Sequence, residues 1–239
     1  MLRSILASLL LFTPLAADAD SFTQDQRAEI VQVLRDALHT DPSILRDAIA
    51  ALQQDDAAQQ DATVRSVIAA QHAALSDPAD PAIGNPSGDV TIVEFYDTRC
   101  PYCRRMTSTV AALLQADPGV RFIYKDLPIL GPASTMESQA LLAAQRQGGY
   151  ARLQEALMRT TGQPTPNSIR AEADRQGLDG DRLVRDMADP AIKVRLEANI
   201  QLAHVLHIEG TPALIVGQQM IPGAVNLADL RKAVADARR

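Results

Sequence analysis

Residues 90–103 read as a strand that runs into a helix across a pair of cysteines: Val90-Thr91-Ile92-Val93-Glu94-Phe95-Tyr96, then Cys100-Pro101-Tyr102-Cys103. After the motif, Met106, Val110 and Leu113 recur at helical spacing. That junction places the first sulfur at a helix N-terminus, where amide N–H groups point at it and favour the thiolate, the nucleophilic form. Pro101 suits the first helical turn because its missing N–H would be unpaired there anyway. Cys103, one turn into the helix, lies near enough to resolve a mixed disulfide and is expected to be the more buried of the two. Residues 120–124 supply a second strand, and a βαβ opening favours parallel pairing. The chain has 239 residues and 2 cysteines. A bridge between such close neighbours adds little stability, and a zinc site would need further Cys or His at ligand spacing. The pair suits redox chemistry.

The remaining pattern surrounds this junction. Residues 134–207 read as helices interrupted at 148–149, 162–166 and 177–180. Two short strands follow at 213–216 and 219–221, and Asn226 can cap a last helix through Val234. The expected catalytic domain, 89–239, is therefore α/β, with a helical insertion at about 132–207. Upstream, residues 20–75 read as an all-helical extension. Ser21 or Thr23 can cap its first helix, with Ile30, Val33, Leu34 and Leu38 on one stripe; Asp41-Pro42 opens a second, with Leu45, Ile49 and Leu52; a third starts near Ala57, with Val64, Ile68 and Leu75. Stripes this narrow bury little and need partners. The Pro- and Gly-rich stretch 76–88 reads as a linker. Residues 1–19 read as a secretory signal: Met1-Leu2-Arg3, an uncharged apolar run too short for the ~20 residues of a membrane span, and Ala17-Asp18-Ala19 for cleavage after Ala19 or, second, Ala17. The alternative is a buried N-terminal helix. Export to the periplasm follows from the first reading. A net charge of −6, 3% aromatics and no Trp argue against nucleic acid as a partner.

Strand–CPYC–helix, followed far downstream by Gly210-Thr211-Pro212, resembles the DsbA-type thiol–disulfide oxidoreductases over roughly residues 83–239. The resemblance implies a thioredoxin fold with a helical insertion. It also implies a cis Pro212 facing the CxxC, with the backbone of Thr211 presented to a substrate strand. Glu94, on an otherwise apolar strand, is expected to be buried with a raised pKa and to exchange a proton with the Cys103 sulfur; the family has an acidic residue there. Lys125, at the end of the next strand, is expected either to pair with Glu94, as a lysine does in thioredoxin-like proteins, or to be solvated. His204 and His207 suit a helix C-terminus or, less readily, a metal, and the family usually has Gly where His207 stands. Arg99, Arg104 and Arg105 add positive potential near Cys100.

Phe22-Thr23-Gln24, Asp41-Pro42-Ser43-Ile44-Leu45 and Leu52-Gln53 resemble the N-terminal extension of the suppressor-of-copper-sensitivity C (ScsC) proteins. That resemblance implies a homo-oligomer, a trimer in particular; a helical arm folded onto its own catalytic domain is the alternative. Taken together, the sequence points to a periplasmic disulfide isomerase acting on exported proteins that carry cysteines. Tyr102 lacks the charge a His would bring beside the thiolate, and Thr211 before the proline also occurs in isomerase-type relatives. Such a protein needs no cofactor beyond the Cys100–Cys103 pair and is kept reduced by a membrane thiol–disulfide electron donor. The competing readings are a DsbA-like dithiol oxidase and a non-catalytic Cu(I)-binding protein of copper tolerance.

Overall fold

The computed structural model describes residues 22–239, so the expected signal segment and the Ser21 cap lie outside the described residues. The chain forms two units, one ending at Ala57 and the other running from Ala58 to Arg239.

In the first unit, α1 (Gln24–Thr40) starts at a capping box. Thr23 Oγ1 accepts the Gln26 N–H at 3.3 Å, and Gln26 Oε1 accepts the Thr23 N–H at 2.9 Å. No residue of α1 is buried, and Ile30, Val31, Val33 and Leu34 are all exposed. Helix α2 (Ser43–Ala70) follows, with Asp41 accepting the Ser43 N–H at 3.0 Å. The break expected near Ala57 is absent; Ala, Gln and Asp there all tolerate a helix interior, and α2 runs through to Ala70.

The boundary expected at 76–88 is corrected accordingly. Ile68 near the end of α2 and Leu75 of α3 (His72–Leu75) are buried with Val93, Phe95, Ile123 and Leu202, so their stripe is completed within the second unit. The stretch 76–88 is no linker either. It contains β1 (Ala82–Gly84), which pairs antiparallel with a central strand, Ala82 opposite Ile123. Its Pro and Gly content reflects an edge strand three residues long between turns. Gly84 sits at φ +79, and a Cβ there would meet Val120 O at 2.5 Å.

Strands β2 (Val90–Tyr96) and β3 (Val120–Asp126) lie parallel, joined by α4 (Pro101–Ala116). The insertion consists of α5 (Pro132–Gln145), α6 (Tyr150–Arg159), α7 (Pro166–Arg175), α8 (Gly180–Asp186) and α9 (Pro190–Val205). The break at Asp189-Pro190 went unread in the sequence. Then β4 (Ala213–Val216) pairs antiparallel with β2, β5 (Gln219–Pro222) with β4, and α10 (Leu227–Ala237) starts at its Asn226 cap. The sheet order is β1-β3-β2-β4-β5.

Because side chains alternate across a strand, the two faces carry separate cores. Ile92, Tyr96, Phe122 and Leu214 pack with Cys103, Met106 and Leu141 on one face. Val93, Phe95, Ile123 and Ile215 pack with Ile68, Leu75 and Leu206 on the other. The central strand β2 is buried on both faces, and it delivers the chain into the cysteine junction.

Candidate active site

Cys100 is the N-cap of α4, with Pro101 in the first turn. Its backbone N–H donates to Asp97 O at 3.0 Å and its carbonyl accepts the Arg104 N–H at 3.1 Å. Cys100 is 4% exposed and Cys103 1%, as their places before and inside the helix require. Across from them the Thr211–Pro212 bond is cis. The Cys100 thiol donates to Thr211 O at 3.2 Å. The first sulfur and the carbonyl before the cis-proline are therefore adjacent. Tyr102 is half exposed beside the motif, and the Arg105 guanidinium lies over its ring, 4.4 Å from the centroid.

Beneath the cysteines, Glu94 is 3% exposed and its Oε1 has no hydrogen-bond partner. Its register opposite Leu214 puts it on the same sheet face as the cysteine core, on the strand next to the cis-proline turn. Burial, followed by the nearby Cys100 sulfur, pushes its carboxyl up to about 8. Burial also pushes the Cys103 thiol well above the ordinary thiol range, and the Glu94 carboxylate and Cys100 add to that shift. Burial thus favours the protonated form at both the Glu94 carboxyl and the Cys103 thiol. A buried thiol of this kind becomes a nucleophile only when a base takes its proton.

Lys125 does not pair with Glu94. Glu94 is opposite Tyr124, so Lys125 lies on the other face of the sheet. There it is buried, its Nζ 2.5 Å from Asp80 Oδ2 and donating to Ala74 O at 2.6 Å. Neither expectation for this lysine, a Glu94 partner or a solvated strand end, fits that environment. His204 is in the last turn of α9, and His207 takes the left-handed position after it, φ 54. The Ile208 N–H returns to Ala203 O at 2.9 Å, closing the helix as a glycine at that place would. Among the described residues, no group of three or more His, Cys, Asp or Glu could hold a metal ion.

Sequence reasoning missed the supports of the junction. Asp97 Oδ1 accepts the Arg99 N–H at 2.8 Å, while Oδ2 accepts the N–H groups of Ile129 and Leu130 at 3.0 and 3.1 Å, fixing the loop after β3. Glu137, on α5, is fully buried and accepts from Thr98 Oγ1 at 2.6 Å and from Arg99 Nη1 at 3.2 Å. Its signal was available: Glu137 stands one turn before Leu141 on a helix face otherwise apolar or small. In the same core, Tyr96 and Tyr150 donate to the two oxygens of Asp126 at 3.1 and 2.8 Å. Burial pushes that carboxyl up to about 7 against those hydrogen bonds.

Residues 91–235 match the DSBA-like thioredoxin domain, and residues 26–59 match the copper resistance protein ScsC N-terminal domain. A thioredoxin-like oxidoreductase from Silicibacter pomeroyi is 41% identical, over 69% of this chain and 95% of that one, with a TM-score of 0.66. Proteus mirabilis ScsC in a transitional conformation is 29% identical, over 91% and 97%, with a TM-score of 0.65. The Na(+)/H(+) antiporter NhaA 1 of Salinispora arenicola is 30% identical over 169 residues, 68% of this chain, and the chain spans 26% of that curated relative's length. Among the described residues no helix is long and apolar enough to cross a membrane. With the domain match spanning β2 to α10, the chain belongs to the DsbA-like thioredoxin family, whose members are thiol–disulfide oxidoreductases.

Proposed function

We propose that this chain is a periplasmic disulfide isomerase that reshuffles disulfides in exported proteins through Cys100. The observation that carries the reading is the contact between the Cys100 sulfur and Thr211 O beside the cis-proline, with a buried Glu94 on the same sheet face whose Oε1 has no hydrogen-bond partner. The Cys100 thiolate attacks one sulfur of a substrate disulfide, that bond breaks, and the released substrate sulfur leaves as a thiolate that takes a proton from solvent. A mixed disulfide remains. In isomerisation a second substrate thiolate attacks the substrate sulfur of that bond, forms the new disulfide and releases Cys100 as thiolate, with no net electron transfer. In escape, Cys103 gives its proton to ionised Glu94 and attacks Cys100; the substrate leaves reduced and Cys100–Cys103 is oxidised. A membrane thiol–disulfide donor then returns two electrons to the pair.

The exposed apolar residues of α1 and the match to the ScsC N-terminal domain support assembly into a homo-oligomer, a trimer by likeness to ScsC proteins. Isomerisation gains from several thiolates around one substrate, because linked sites raise the effective concentration. The alternative of a Cu(I) carrier would place both thiolates on one ion and take up metal stoichiometrically, without turning over a disulfide substrate. A Cys103→Ala variant expressed in cells should accumulate mixed disulfides with exported cysteine-containing proteins, all reversed by reductant. Recovery of the variant free of such adducts would contradict the substrate class.

A further inference from the structure

The strand-to-helix junction carries more charge than its chemistry requires. Arg99 precedes Cys100 directly, and Arg104 follows it on α4, donating from Nε to Thr98 O at 2.8 Å. Both guanidiniums act on the Glu137 carboxylate. Glu137 belongs to the insertion, not to the strand or helix that bear the cysteines. It accepts from Thr98 Oγ1 and from Arg99 Nη1, whose guanidinium also donates to Gly162 O at 2.9 Å and Thr161 O at 3.4 Å. Helix α5, the junction and the α6–α7 connection thus meet at one carboxylate. Burying a carboxylate on a helix face that also holds Leu141 costs stability that an apolar residue would not. Burial raises its pKa, and the Thr98 hydrogen bond and the two guanidiniums oppose that rise.

We propose that Glu137 is a positioning residue for Cys100: it clamps Thr98 and Arg99 in the junction, and its charge offsets Arg99 and Arg104, restraining the oxidising strength of the Cys100–Cys103 pair. The physical link is the sign of the field at the first sulfur. As a general rule, cationic groups beside the first sulfur of a CxxC pair favour the reduced form and make the pair more oxidising. An anion held against those cations works in the opposite direction. The helical insertion then sets redox poise as well as covering the sheet. This inference rests on Cys100 being the exchanging sulfur.

The test is the equilibrium of the full chain with reduced and oxidised glutathione. Two glutathione thiols give two electrons to the Cys100–Cys103 bond, yielding the dithiol and glutathione disulfide. Glu137→Gln keeps a group that can bond Thr98 and removes the charge. Its equilibrium constant for disulfide formation should fall about three-fold or more, and Cys100 should alkylate faster with iodoacetamide at neutral pH. Arg99→Gln should shift the same constant in the opposite direction by a comparable factor, and it decides the matter by its sign if the first variant folds poorly. A purely structural Glu137 would lower the melting temperature in both variants and leave both constants at the wild-type value, which would overturn the inference. Wild-type protein showing no glutathione-dependent transition would instead overturn the assignment of Cys100 and Cys103 as an exchanging pair.

Discussion

At Glu94, desolvation of the carboxyl and the unpartnered Oε1 work in the same direction, since nothing in the core compensates the charge once the proton leaves. The folded value of about 8 lies above the ~4.3 of an unfolded chain. Between those limits the folded protein holds a proton that the unfolded chain has released, so stability falls as pH rises through the window. Asp126, at about 7, adds a slope of the same sign over the lower part. Replacing Glu94 with Leu removes only the first contribution. Denaturant unfolding should show Glu94→Leu gaining on wild type steadily from pH 5 to pH 8, reaching on the order of a few kcal/mol, while disulfide exchange near neutral pH slows. A stability difference that stays constant across that range would mean Glu94 is not titrating in the core, and unchanged exchange rates would remove it from the proton path. Much of this site could be read from residues alone. Glu94 stood out as an acid on an apolar strand, and Cys100, Cys103 and Pro212 carried their own motif. Lys125 was misread because side-chain alternation sends it to the opposite face, and its partner Asp80 lies far away in sequence.

Among the elements, the sheet and its main helices were legible where period and caps agree, as at β2, α4 and Asn226-capped α10. The segment from Ala58 to β1 was not, for two reasons. Helix α2 carries no Pro or Gly near Ala57 to mark a change of partner, and a three-residue stretch that follows Pro81 and ends on Gly84 looks like a turn until β3 is in place beside it. The consequence is measurable. A fragment starting at Ala58 keeps Ile68, Leu75, β1 and Asp80, and should melt cooperatively close to the full chain. One starting at Asp89 loses two buried apolar side chains, each worth about 2–5 kcal/mol as a truncation, and leaves Lys125 buried without its carboxylate. That shorter fragment should unfold at a much lower temperature or fail to fold. Equal melting temperatures would restore the boundary at 76–88.

For the whole molecule, apolar side chains left exposed along α1, and Leu45, Ile49 and Leu52 on α2, gain stability only by covering one another or another surface. Light scattering should give the full-length chain a mass of several protomers, with three expected, and the fragment from Ala58 the mass of one. A monomeric full-length chain would contradict the assembly reading and leave the redox site untouched. The catalytic claim is tested most directly by turnover on a scrambled-disulfide substrate, counted per Cys100 under a reducing glutathione buffer. Wild-type protein should reactivate many substrate molecules per site, with Cys100→Ser reduced to the uncatalysed rate. Reactivation that stops at one substrate per site, or a Cys100→Ser variant as active as wild type, would contradict an isomerase working through Cys100.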